Sequence, residues 1–131
     1  MHSLDAPLCV AVVICNEVIE DKRTSNKSLI GIFNAINVPQ LPVTHPRLNV
    51  LASLTNLNGD VPISLTITAP NGGEVVKAEG SVTIEDPLAV VDVVFEINGL
   101  PIEQLGTYMI DVFNQSVHLG GRRFQVIAGW T

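Results

Sequence analysis

Glu17, Glu20 and Asp21 are the densest group of carboxylates in the sequence, inside the segment NEVIEDKRTSNKS. Oxygen ligands gathered in one loop are what Ca²⁺ or Mg²⁺ requires. Their spacing matches no calcium-loop pattern, and Lys22 and Arg23 compete for the same acids. The competing reading is a solvated charged turn, whose ion pairs are each worth about 0–1 kcal/mol. A thiolate at Cys9 or Cys15 could act as a nucleophile if a base stood beside it. The available bases are His2 near the start, His45 between Thr44 and Pro46, and His118 at an expected hairpin tip, and no orienting acid is evident at any of them. Inert buried thiols are therefore the expectation, because free cysteine behaves as a small apolar residue. Gly120 and Gly121 precede Arg122 and Arg123, a combination that could offer backbone amides and two guanidinium groups to an anion. Paired glycines more commonly just turn a hairpin.

The chain contains no Gly-x-Ser-x-Gly elbow, no phosphate-cradling glycine loop and no Cys-x-x-Cys or His-Glu-x-x-His spacing. The sequence thus predicts a protein that is not an enzyme, with no catalytic residue, no metal and no cofactor. Asn26-Lys27-Ser28 and Asn114-Gln115-Ser116 fit the glycosylation triplet, a pattern common by chance. Trp130 is the single tryptophan, whereas a sugar-stacking surface normally presents several rings.

What must position these groups is a set of strands. Residues 105–127 alternate Tyr108, Ile110 and Val112 with Thr107, Met109 and Asp111, break at 114–116, and return with Phe124 and Val126 against Arg123 and Gln125. That two-residue period predicts a closing β-hairpin. Residues 1–7 are polar with a proline and are expected to form a flexible arm. Residues 8–15 (LCVAVVIC) are apolar on both faces, as in a central strand or one covered by a partner, with Cys9, Ala11, Val13 and Cys15 on one side. A hairpin tip is expected at 21–28, followed by a strand over 29–38. Pro39, Pro42 and Pro46 then predict a connection without ladder pairing. Residues 47–57 alternate with Leu51 as the one exception, and Asn58-Gly59-Asp60 predicts a hairpin turn into the Ile63, Leu65, Ile67 strand. Another turn at 70–73 leads to a strand over 74–84 with Gly80 as a candidate bulge. The strand over 88–97 carries Ala89, Val91, Val93, Phe95 and Ile97 on one face and is apolar on both faces in its middle; a connection follows at 98–104.

Composition agrees with this reading. Of 131 residues, 47% are hydrophobic but only 5% aromatic, so Val, Ile and Leu must fill the interior. One domain spanning 1–131 is expected, able to bury roughly two thirds of its unfolded surface. Seven Lys and Arg against 13 Asp and Glu give a net charge of −6, which argues against nucleic acid and anionic membrane as partners. No apolar run approaches the ~20 residues of a membrane span, and no signal peptide is evident. On one strand the two cysteines would lie about 20 Å apart, beyond disulfide reach, and free thiols fit a cytoplasmic setting. The fold class predicted is all-β, an antiparallel immunoglobulin-like β-sandwich of about eight strands.

Two blocks, CNEVIEDKRTSNKSLIGIFNAI at 15–36 and EDPLAVVDVVFEINGLPIEQLGTYMIDVF at 85–113, resemble an uncharacterised bacterial β-sandwich family classed as a domain of unknown function. The resemblance implies an all-β fold and a bacterial source, and carries no catalytic or binding residues with it. Function is therefore expected to be a protein-interaction or scaffold role, through a protein partner or a homodimer built on 8–15 or 88–94. The alternative is a small-ligand or carbohydrate-binding module with its site on the loops around 17–28 or 39–46.

Overall fold

The computed structural model describes residues 6–129; His2, Trp130 and most of the expected arm lie outside them. Nine strands form two sheets: β1 (Leu8–Glu20), β2 (Lys27–Ile32), β3 (Ala35–Val38), β4 (Val43–Thr55), β5 (Gly59–Thr68), β6 (Glu74–Ile84), β7 (Val91–Ile102), β8 (Gly106–Asn114) and β9 (Val117–Ala128). One sheet runs β2-β1-β4-β7 and the other β3-β9-β8-β5-β6. Val50, Ala52, Leu54, Phe95 and Ile97 from the first pack against Ile63, Leu65, Ile67, Tyr108, Ile110 and Phe124 from the second. Each such buried side chain contributes about 1.5–3 kcal/mol relative to exposure. No helix among the described residues is long and apolar enough to cross a membrane.

The count is nine rather than eight because the segment expected as one strand over 29–38 divides. Gly31 adopts a positive φ of 70°. Phe33 then donates to the Ile14 carbonyl (3.0 Å) while Gln125 donates to the Asn34 carbonyl (3.1 Å), so the chain leaves β1 and joins β9 within two residues. β3 runs parallel to β9, which corrects the wholly antiparallel expectation. The expected 47–57/63–67 hairpin is also corrected. β4 and β5 belong to different sheets, and residues 56–58 carry the chain across the sandwich. The proline-rich connection ends earlier than expected, because Val43–Arg47 already pair with β7. Pro46 falls between the pairs His45↔Leu100 and Arg47↔Asn98, level with Gly99 (φ 90°) on β7, and β1 does not pair with β4 there, so the missing N–H breaks no ladder. β7 begins at Val91 rather than at 88, because Ala89 donates to the Asp86 carbonyl (3.0 Å) in a turn, and it runs on through Gly99 and Pro101, where the sequence predicts a connection.

β6 forms as expected, and so does the closing hairpin, except that its turn is Gln115-Ser116 and His118, expected at the tip, pairs with Phe113 inside β9. Gly80 pairs regularly with Ile63, and the irregularity between β5 and β6 sits at Ile67/Thr68 instead. In β1 a bulge between Cys9 and Ala11 turns Cys9 to the core side with Val12 and Ile14, and leaves Ala11, Val13 and Cys15 on the outer face. The Tyr108 hydroxyl donates to the Gln104 carbonyl at 2.9 Å across the β7–β8 corner, and its ring stacks on Phe124 with centroids 5.4 Å apart. This is the tyrosine corner of immunoglobulin-like sandwiches.

Candidate functional site

The three candidate acids do not converge. Asp21 is occupied by its own turn: its carboxylate accepts the Arg23 amide at 2.7 Å and the Thr24 amide at 3.3 Å. Glu20 lies 3.9 Å from the Lys27 ammonium, and Glu17 stands in the ladder opposite Ile30. Among the described residues no three His, Cys, Asp or Glu side chains gather as a metal ligand set. Arg122 and Arg123 are adjacent on β9 and so leave opposite faces of the sheet. Arg122 links β9 to β1 and to the β2–β3 link, donating to Asn34 Oδ1 (2.5 Å) and the Val12 carbonyl (3.4 Å). The glycines before it do not turn the hairpin; they sit within β9, where β1 passes so closely that a β-carbon on Gly120 would stand 2.8 Å from Cys9 Cβ.

Both thiols are free. Burial pushes Cys9 and Cys15 above the ordinary thiol range, against weaker lowering by backbone hydrogen bonds, which disfavours the nucleophilic thiolate. His45 is lowered by burial and rests 6.1 Å from the Phe33 ring. His118 does have an acid beside it, contrary to the sequence reading. Its Nε2 lies 2.7 Å from Asp111 Oδ1, and Phe113 meets the ring edge-on at 5.3 Å. A β-carbon on Gly121 would meet the Ile110 carbonyl oxygen first and would also stand 2.9 Å from the same carboxylate oxygen. Asp111 alternates with the core residues Ile110 and Val112 and so faces outward, whereas Cys9 packs between the sheets. Among the described residues no hydrogen bond joins an imidazole to a thiol.

Two further features of the surface involve none of the candidate reactive residues except Glu20 and Cys15. The first is the outer face of the four-stranded sheet. Ladder pairing places Val13, Leu51 and Val94 in one row and Ile32, Cys15, Asn49 and Glu96 in the next. Leu51 (7% exposed) and Cys15 (0%) are buried yet belong to no part of the core cluster, while Ile32 is 58% exposed. Polar groups surround this strip: Ser53 donates to Asp92 (2.5 Å), Asn49 donates to the Asn16 carbonyl (3.0 Å), and Glu20, Lys27 and Arg47 border a recess of about 270 Å³. The sequence signal was the exception at Leu51, which only pairing with Val13 and Val94 turns into a surface.

The second feature is a pair of recesses at one end of the sandwich. One, of about 310 Å³, lies between the β5–β6 turn and the β7–β8 corner; the other, of about 400 Å³, lies beside Pro42, Val43 and Thr44. Pro101 and Glu103 line both.

A model for a family of unknown function, DUF6941, matches residues 10–127. No curated protein matches the chain. Among solved structures, it is similar to a β-glucosidase from Listeria innocua in complex with isofagomine, at 17% identity and a TM-score of 0.50. That match covers 75% of this chain but only 15% of the glucosidase chain. The C-terminal domain of Wzt is 12% identical at a TM-score of 0.50, with 95% of this chain and 74% of that one covered. An immunoglobulin-like protein from Pseudomonas aeruginosa is 16% identical at a TM-score of 0.44, over 92% and 96% of the two chains. At such identities the glucosidase and Wzt matches speak for the fold alone.

Proposed function

The chain belongs to this family of unknown function, and we propose that it is a non-enzymatic interaction module that associates through the outer face of its four-stranded sheet. The observation behind this reading is the row Val13–Leu51–Val94, continued by Cys15 and Ile32, on the side of the sheet away from the core. A sheet that closes a single sandwich needs one apolar face; the other normally alternates to polar residues. An apolar centre with a charged and hydrogen-bonded border is the anatomy of a protein–protein contact. A second copy presenting the same face would cover it isologously. Sedimentation at micromolar concentration is expected to show a dimer for the native chain and a monomer for Val94→Asp. A monomeric native chain, or a dimer indifferent to V94D, overturns the reading.

A small-ligand or carbohydrate role draws its support from the recess beside Pro42–Thr44, at the start of β4 and within the 39–46 stretch where the sequence predicts such a site. Calorimetric titration with neutral mono- and oligosaccharides tests it: saturable heat abolished by Thr44→Trp supports a sugar site there, and its absence removes it.

A further inference from the structure

The 310 Å³ recess is bounded by Glu74 at the start of β6 and Glu103 in the β7–β8 link, over an apolar floor that includes Val75, Pro101 and Tyr108. Neither carboxylate has an ion-pair or hydrogen-bond partner among the described residues. None of the seven Lys and Arg residues lines this recess. Lys22, Arg23 and Lys27 stand on the β1–β2 hairpin, Arg47 borders the outer face of the other sheet, Lys77 lies 3.6 Å from Glu79, Arg122 bridges the sandwich, and Arg123 pairs with Met109. The lining of the recess thus brings two carboxylates, and no Lys or Arg, to an apolar slot.

The walls are fixed before anything binds. The β5–β6 turn is closed by Ala69 donating to the Gly73 carbonyl (2.8 Å), Gly72 donating to the Ala69 carbonyl (2.9 Å) and Gly73 donating to Asn71 Oδ1 (2.8 Å). The opposite wall is held by the Tyr108 hydroxyl on Gln104. The two walls meet where a β-carbon on Gly106 would stand 3.2 Å from Pro70 Cγ. A slot whose sides are already ordered loses little entropy on binding.

We propose that this slot receives a lysine or arginine side chain from an extended segment of a partner protein. The aliphatic stem would lie over Val75 and Pro101 and the cationic head between Glu74 and Glu103. A long basic side chain matches both halves of the lining, since its methylene stem is apolar and its end charged. The adjoining recess beside Pro42, Val43 and Ile102 continues past Pro101 and offers apolar contact to the neighbouring residues of such a segment.

The test is an amide-resonance titration of the full chain with an acetylated, amidated pentaarginine peptide, with pentaalanine and calcium chloride as comparison probes. The expected result is saturable shifts at Val75, Glu103 and Gln104 with pentaarginine only, weakening as salt is raised. Glu74→Gln and Glu103→Gln should each weaken binding by about fivefold. Both residues are exposed, so the fold should persist, and dispersion of the remaining resonances in the same spectra checks it. Three outcomes overturn the proposal: shifts as large around Glu17–Asp21 as at the slot, binding unchanged in the double Gln variant, or calcium saturating the slot at lower concentration than the peptide.

Discussion

Gly120→Ala probes a close approach between the two sheets. An ideal β-carbon at this position would lie 2.8 Å from Cys9 Cβ and 3.5 Å from the Cys9 carbonyl oxygen. Carbon atoms are at ease at about 3.5–4.0 Å, and Cys9 Cβ is fixed to the backbone of β1, so no rotamer change relieves the contact. Overpacking of this kind costs about 1–3 kcal/mol. Against it stands the stiffer unfolded chain of the alanine variant, worth about 0.4–1 kcal/mol in the opposite sense. The midpoints leave a net loss of about 1.3 kcal/mol. With an unfolding entropy of about 2.1 cal/mol/K per residue over 131 residues, that is a fall in Tm of about 5 °C. Removing the opposing carbon should reverse the sign. In a Cys9→Gly background, Gly120→Ala is expected to stabilise by roughly 0.4–1 kcal/mol. Urea denaturation of the four proteins of the cycle, with unchanged m-values, measures this coupling. Equal destabilisation by G120A in both backgrounds would refute the reasoning, because the cost would then not arise from contact with β1.

The tyrosine corner should be separable from the packing of its ring: Tyr108→Phe keeps the stack on Phe124 but leaves the Gln104 carbonyl without its donor, for an expected loss of about 1–2 kcal/mol by urea denaturation. A loss below ~0.3 kcal/mol would mean that solvent replaces the bond. Stability should also form a plateau in pH. Burial raises Cys9, Cys15 and Tyr108 above ordinary values of 9.0 and 10.0, so their contribution is full below those values and is lost as pH climbs past them. Burial lowers His45 below 6.5, so its contribution is full above that value and fades as pH falls. Denaturation measured across pH should show a shallower acid limb in His45→Gln and a shallower alkaline limb in Cys15→Ala; limbs unmoved by these changes would contradict the assignments.

Strand content and the buried face of most strands were legible in the sequence, because a two-residue period requires nothing beyond the chain itself. The closing hairpin, β6, and the set Val91, Val93, Phe95 and Ile97 follow directly from it. The same period states that a face is covered without stating by what, which is why β4 and β5, alternating on either side of an Asn-Gly turn, read as partners although they line the core from opposite sheets. Glycine carried a similar ambiguity: at Gly120 it marks a close crossing by β1 and at Gly121 a close approach of the β8 backbone at Ile110, two facts about residues distant in the chain. The acidic slot was illegible for the same reason, since Glu74 and Glu103 become neighbours only when the β5–β6 turn packs on the β7–β8 corner. Local sterics and hydrophobic alternation thus determined the strands, whereas the choice of sheet for each strand, and with it every surface on which side chains from separate strands meet, was decided by how two apolar layers could close over one another.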